Sequence, residues 1–293
     1  MPLWQGKSKA NPLGYQIFVS ILKNFGVYPA YFLLRLVAFY YFLFSYKSSK
    51  TIYSFFRKRI GYGKIKSFFS LYKNYYLFGQ SLIDRVVLMA DISNKFTFNF
   101  DGEENLREMV SQKKGGLLLS AHIGNWEIAG HLLKRLNTKI NIVMFDDEHQ
   151  KIKQYLDSVK GAKNMHIIPI RSGLSHVYEI SDAFKNNELV CMHADRFLDG
   201  NKIFDHLFLG AGARFPMGPF ILAAQFKVPV SFTFAMKETN LHYHFSATKP
   251  KEYDYPSKEI YMNQVLDDFV AEMGKKVIQY PEQWYNYYDF WEQ

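Results

Sequence analysis

The spacing of apolar and polar positions changes character along the chain. Val27 to Tyr46, VYPAYFLLRLVAFYYFLFSY, is a run of twenty residues whose single charge is Arg35. As a helix it would extend roughly 30 Å, about the thickness of a bilayer's hydrocarbon core. The run is too long for the apolar region of a cleaved signal peptide, and no small-residue cleavage pattern precedes Lys47-Ser48-Ser49-Lys50. It predicts a hydrophobic, membrane-anchoring helix. Ile65 to Met89 predicts a second, amphipathic helix, with Phe68, Phe69, Tyr72, Tyr75, Tyr76 and Leu77 crowding one side.

From about Phe96 the period shortens. FTFNFDG alternates like a half-buried strand and ends in an Asp-Gly turn, and EENLREMVSQKKGG reads as a helix closed by glycine. LLLSAH, INIVMF, MHIIPI, ELVCMHA and VPVSFTFAM are apolar runs of strand length. Helical stretches lie between them, from Trp126 to about Leu136 and from Leu174 to Asn186. Buried strands alternating with helices predict an α/β fold, a mixed but mostly parallel central sheet flanked by helices. The chain divides into a helical membrane-associating region, 1–92, and an α/β domain, 93–293.

Charge sharpens the first of these. The net charge is +9, yet no Asp or Glu precedes Asp84, while 12 Lys and Arg do, leaving 24 basic against 27 acidic residues in the remainder. The basicity therefore belongs to the N-terminal quarter. Its interleaving with Phe, Tyr and Leu points to an anionic membrane surface and away from nucleic acid. Arg35 would cost about 2.5–3.5 kcal/mol in the middle of a spanning helix. A helix lying in the interface with Arg35 snorkelling fits as well as one that crosses. The lone cysteine, Cys191, excludes an internal disulfide and a thiolate metal cluster, and in ELVCMHA it reads as a small core hydrophobe.

The chemistry gathers in LLLSAHIGNWEIAG, Leu117 to Gly130, where a strand runs into polar residues. His122 falls at a strand C-terminal end, where active sites of such sheets collect. On one helix, residues five apart are rotated by about 140° and cannot face each other. His122 and Glu127 can meet only across a strand–turn–helix junction. Gly124 permits a left-handed turn, Asn125 suits a helix N-cap, and Glu127 then sits in the first helical turn. The spacing leaves both a catalytic pair and a capping interaction open.

HIGNWE, His122 to Glu127, matches the His-x4-Glu/Asp signature of the glycerolipid acyltransferase superfamily. It most resembles the branch of late (lauroyl/myristoyl) acyltransferases of lipid A biosynthesis. The resemblance continues through Trp4-Gln5-Gly6-Lys7, Asp101-Gly102-Glu103, Lys114-Gly115-Gly116 and His193-Ala194-Asp195-Arg196. It extends through Phe208-Leu209-Gly210, RFPMGP at Arg214 to Pro219, Val228 to Val230, and YPEQWYNYY near the C-terminus. The resemblance implies transfer of a fatty acyl group from an acyl-carrier-protein or acyl-CoA thioester to a hydroxyl or amine of a lipid-linked acceptor. The work would be done on the cytoplasmic face of the inner membrane, with no cofactor. By the same analogy His122 is the general base and Glu127 its partner, with Asn125, Asp195, Arg196 and Arg214 as candidate substrate-binding or oxyanion residues. No Gly-x-Ser-x-Gly elbow occurs, so an acyl-serine is not indicated.

Two departures bear on the acceptor. The glycerol-phosphate branch carries Phe-Pro-Glu-Gly where this chain has Phe215-Pro216-Met217-Gly218. Lipid A enzymes typically show Asp-Gln or a similar pair where this chain has Asp195-Arg196. A different inventory, His122, Glu127, His131 and Asp195, would suit a metal-dependent hydrolase, although His-Glu-x-x-His and the other standard zinc motifs are absent.

Overall fold

The computed structural model describes residues 12–89, 92, 95–128, 133–145, 165–171, 173–198 and 200–291. The Trp-Gln-Gly-Lys string at 4–7 and His131 lie outside these residues. The strands are β1 (Thr97–Asp101), β2 (Gly116–Ser120), β3 (Ile140–Phe145), β4 (Met165–Ile170), β5 (Leu189–His193), β6 (Ile203–Phe208), β7 (Ala211–Pro216), β8 (Val230–Thr239) and β9 (His242–Ala247). Seven of them form one sheet in the order β1-β9-β8-β2-β5-β3-β4, while β6 and β7 pair with each other as a separate hairpin. Within the sheet the neighbours are parallel except β8 and β9. The mixed, mostly parallel sheet expected from the alternation is the one observed.

Position in the sheet follows from sequence pattern. β2 and β8 are buried along most of their length, as strands covered on both faces are; β2 is apolar up to Ser120, while β8 also buries Ser231, Thr233 and Lys237. β1, at the edge, alternates exposed and half-buried positions. Along β2, Leu117 and Leu119 enter one core cluster while Leu118 enters the other, the two-residue period of a strand dividing its side chains between the faces. The first cluster is closed by α6 (Ser175–Lys185), α7 (Gly218–Phe226) and α8 (Lys258–Gln279), and the second by α5 (Glu103–Ser111). Ser257 caps α8, its hydroxyl accepting the Ile260 N–H.

Four helices precede the sheet: α1 (Pro12–Phe25), α2 (Val27–Phe44), α3 (Tyr46–Lys58) and α4 (Lys64–Met89). The expected apolar helix ends two residues early, at Phe44, where Ser45 separates it from α3. α2 buries Val27, Ala30, Tyr31, Leu34 and Ala38, a stripe at three- and four-residue spacing, against α4. The Leu34 side chain fills the space over Gly79, where a Cβ would lie 2.3 Å from Leu34 Cδ1.

A buried charge cluster ties this helical region to the sheet. Asp84 of α4, 0% exposed, accepts hydrogen bonds from the hydroxyls of Tyr31 on α2 and Tyr243 on β9 and from Lys237 Nζ on β8. Lys237 also donates to the Asn240 carbonyl at 2.7 Å. Burial pushes the Asp84 carboxyl up and the Lys237 amine down, and their mutual attraction opposes both shifts. Such a pair is costly to break from one side, because the remaining charge is stranded in a dry interior. Asp84→Ala is therefore expected to destabilise the fold by about 3–5 kcal/mol, and the Asp84→Asn/Lys237→Met double variant by distinctly less. Urea denaturation of the variants checks this; equal losses in both would show that the stranded lysine is not the cause.

Candidate active site

Register, not proximity in sequence, assembles the site. β2 and β5 are parallel neighbours with Ser120 opposite His193, and the Ala194 N–H continues the ladder onto the Ser120 carbonyl at 2.9 Å. Two residues beyond the strand ends this register puts His122 beside Asp195. One carboxylate then holds both the backbone and the ring. Asp195 Oδ2 accepts the His122 N–H at 2.9 Å, and Asp195 Oδ1 lies 2.8 Å from His122 Nδ1.

The turn after His122 is shaped by glycine. Gly124 has φ of +64°, and a Cβ there would lie 2.2 Å from the Ala235 carbonyl oxygen, so no larger residue fits without displacing β8. The turn is clamped from outside: Gly124 N–H donates to Gln283 O at 2.9 Å, Asn125 N–H to Ala235 O at 2.8 Å, and Tyr285 N–H to His122 O at 3.2 Å. Asn125 is the expected cap, its Oδ1 accepting the Ile128 N–H at 3.3 Å. Its amide donates to Ser81 O at 3.0 Å and to the Tyr243 hydroxyl at 3.3 Å. The chain is helical over 126–128, and Leu133–Leu136 forms a 3-10 turn where a continuous helix was expected.

Electrostatics fix the proton on the imidazole. Burial alone would raise the Asp195 carboxyl, but His122 and Arg196 hold it well below the usual carboxylate range. An ionised carboxylate only accepts, so Nδ1 carries the proton and Nε2 carries the lone pair. Burial is the largest effect lowering the pKa of His122; Arg196 lowers it further, and Asp195 partly restores it. The imidazole is thus held neutral and basic at Nε2. His193 packs on it with ring centroids 4.4 Å apart, and Trp126 meets both rings edge-on at 5.0 and 5.7 Å. Burial pushes His193 down to about 3, so it is neutral as well.

The other residues singled out by sequence are placed differently. The resemblance made Glu127 the partner of the imidazole; the Nδ1 hydrogen bond is made by Asp195. Glu127 is gripped by Arg85 of α4, whose Nη1 lies 2.5 and 2.7 Å from its two oxygens. Arg196 stands beside His122 and donates from Nη2 to the Tyr285 carbonyl at 2.6 Å. Arg214 sits on the β6–β7 hairpin, cross-strand from Asp205, with Nε 3.3 Å from that carboxylate. That pair is largely exposed, so Arg214 is occupied by the hairpin. Of the proposed hydrolase ligands, His122 and Asp195 come together, joined by His193; one ligand atom from each of these three lies within 4.8 Å of the others. Sequence reading missed Arg85 as a neighbour of the site. His193 it had already, in the HADR string, two residues from Asp195 on the same strand end.

The model of the bacterial lipid A biosynthesis acyltransferase family matches residues 72–291. A phosphatidylinositol mannoside acyltransferase of Mycobacterium tuberculosis, strain ATCC 25618 / H37Rv, is 26% identical over 125 residues, covering 42% of this chain and 39% of that protein. Its namesake from strain CDC 1551 / Oshkosh is 25% identical over the same lengths. The chain thus matches about two fifths of these curated relatives. Among solved structures, the 1-acyl-sn-glycerophosphate acyltransferase PlsC from Thermotoga maritima aligns with 83% of this chain and 97% of its own, at 16% identity and a TM-score of 0.37.

The two charges next to His122 have opposite signs, so their removal has opposite effects. Arg196→Met is expected to raise the His122 titration midpoint, and Asp195→Asn to lower it. Imidazole chemical shifts followed by NMR against pH give the midpoints directly. Movement of both variants in the same direction would show that packing, not charge, sets the basicity.

Proposed function

Because the chain belongs to the bacterial lipid A biosynthesis acyltransferase family, we propose that it transfers a fatty acyl group from a thioester to a hydroxyl of a lipid-linked acceptor, with His122 as general base. The observation that carries the reading is the Asp195–His122 pair, which protonates Nδ1 and leaves Nε2 as the basic nitrogen. In the first step Nε2 takes the proton from the acceptor hydroxyl as its oxygen bonds to the thioester carbonyl carbon. The carbonyl electrons move onto oxygen, giving a tetrahedral oxyanion. Collapse breaks the C–S bond, and the imidazolium returns its proton to the departing thiolate. The products are an ester and a free thiol. An amine acceptor would give an amide by the same steps.

Direct transfer without an acyl-enzyme agrees with the side chains present. Burial pushes the Cys191 thiol up to about 12, far from a thiolate nucleophile at neutral pH. Arg196, whose charge acts on His122, is the cation assigned to attract the developing oxyanion. Glu127, locked to Arg85, fixes the start of the helix that carries Trp126 past the imidazole. The donor is an acyl-carrier protein or acyl-CoA, and a soluble thioester donor meeting a lipid acceptor places the reaction at the cytoplasmic face of the cell membrane. The name of the mycobacterial relatives favours a glycolipid hydroxyl as the acceptor.

The metal-hydrolase reading rests on one observation, the convergence of His122, His193 and Asp195. Against it, both oxygens of Asp195 are engaged by the backbone and ring of His122, an orienting arrangement. Metal analysis of the purified protein separates the two. Acyl transfer is expected to proceed at substoichiometric metal and to be indifferent to a chelator. Loss of activity on chelation, restored by zinc, would favour the metal reading. His122→Ala is expected to reduce thiol release from acyl donor by roughly 10³-fold or more in the presence of a lipid extract. Wild-type rates in that variant would refute the base assignment.

A further inference from the structure

Among the described residues, the face of α2 turned away from the protein is a large unpartnered surface. Opposite the buried stripe lie Tyr28, Phe32, Leu36, Phe39, Leu43 and Phe44, each between 51% and 69% exposed. The surface continues onto the start of α4, where Ile65, Phe68 and Phe69 are exposed and Phe42 of α2 meets Phe68 edge-on at 4.9 Å. Patches of this size on a soluble protein mark an interaction site. Lys47, Lys50, Lys64 and Lys66 stand exposed around it, and no carboxylate occurs before Asp84. Two copies of this face would bring like charges together, whereas lipid phosphates would neutralise them.

By length and composition α2 could cross a bilayer. Its contacts forbid it. Tyr31 and Leu34 are fixed against Asp84 and Gly79 of α4, and Asp84 in turn is fixed to Lys237 in the sheet. A crossing helix would either tear this network apart or draw a buried ion pair and its neighbours Asn74, Gln80 and Ser81 into hydrocarbon. Arg35 adds a second constraint. It lies at the middle of α2 on the exposed side, beside Phe32, Leu36 and Phe39. Mid-bilayer it would face acyl chains; in a helix lying along the surface it reaches the headgroups.

We propose that the protein is held in one leaflet of an anionic phospholipid membrane by the outer face of α2 and the first turns of α4, with α2 parallel to the surface. The inference extends the membrane setting of the acyl-transfer reading but needs none of its chemistry, since vesicle binding requires no acyl donor and no active His122. Full-length protein is mixed with vesicles of phosphatidylcholine alone or with phosphatidylglycerol added. It is expected to float with the anionic vesicles, less so at high salt. Phe32→Ser/Leu36→Ser/Phe39→Ser should bind roughly tenfold more weakly or worse while keeping its thermal melt.

Orientation is read by attaching a fluorophore at Tyr28→Cys, Leu36→Cys or Phe44→Cys and quenching with lipids labelled at known depths. Equal, shallow depths at all three positions are expected. A deep signal at position 36 with positions 28 and 44 near opposite faces would overturn the proposal. So would absence of vesicle binding, or a dimer in solution that the triple variant dissolves.

Discussion

The site depends on one carboxylate making two hydrogen bonds. Asp195 binds the backbone N–H of His122 and its ring Nδ1 at once, so it positions the strand end and selects the tautomer together. Neither bond would exist without the β2–β5 register that sets Ser120 opposite His193. A slip of one residue would send every side chain of the strand to the wrong face and separate the pair. Gly124 completes the constraint, because only a residue lacking a Cβ can stand two places after His122 and still pass the Ala235 carbonyl.

A second buried charge, Asp84, does for the helices what Asp195 does for the base. It draws α2, α4, β8 and β9 onto one point through two tyrosine hydroxyls and Lys237. α4 then delivers three further contacts to the site: Ser81 to Asn125, Arg85 to Glu127, and Asn74 to the backbone of Glu282 and Trp284. The C-terminal segment it holds is the one that clamps Gly124 and His122. The N-terminal helices thus support the candidate site, and the outer face of α2, proposed above to meet lipid, belongs to the same network of contacts as His122.

Much of this was legible in sequence, and the parts that were not share a cause. The strand ending before His122, the left-handed Gly124 and the Asn125 cap are local and follow from residue type and order. The partner of the imidazole is not local. Asp195 is 73 positions away, and only the pairing of β2 with β5 brings it near. Glu127, five residues on, was the nearer carboxylate in sequence, but Arg85 of α4 packs beside that helix start and takes it. Arg214 sat in the RFPMGP string that carries part of the family resemblance, yet its cross-strand neighbour Asp205 accounts for it. Spacing reads turns and caps; it does not read which strands are neighbours.

The central claim is that Asp195 and His122 act as one unit in acyl transfer. A double-mutant cycle tests it most directly: rates of thiol release from an acyl donor for His122→Ala, Asp195→Asn and the double variant, with lipid acceptor present. If Asp195 works only through His122, the double variant is no slower than His122→Ala alone. Losses that multiply, each substitution costing the same whether or not the other is present, would contradict the account.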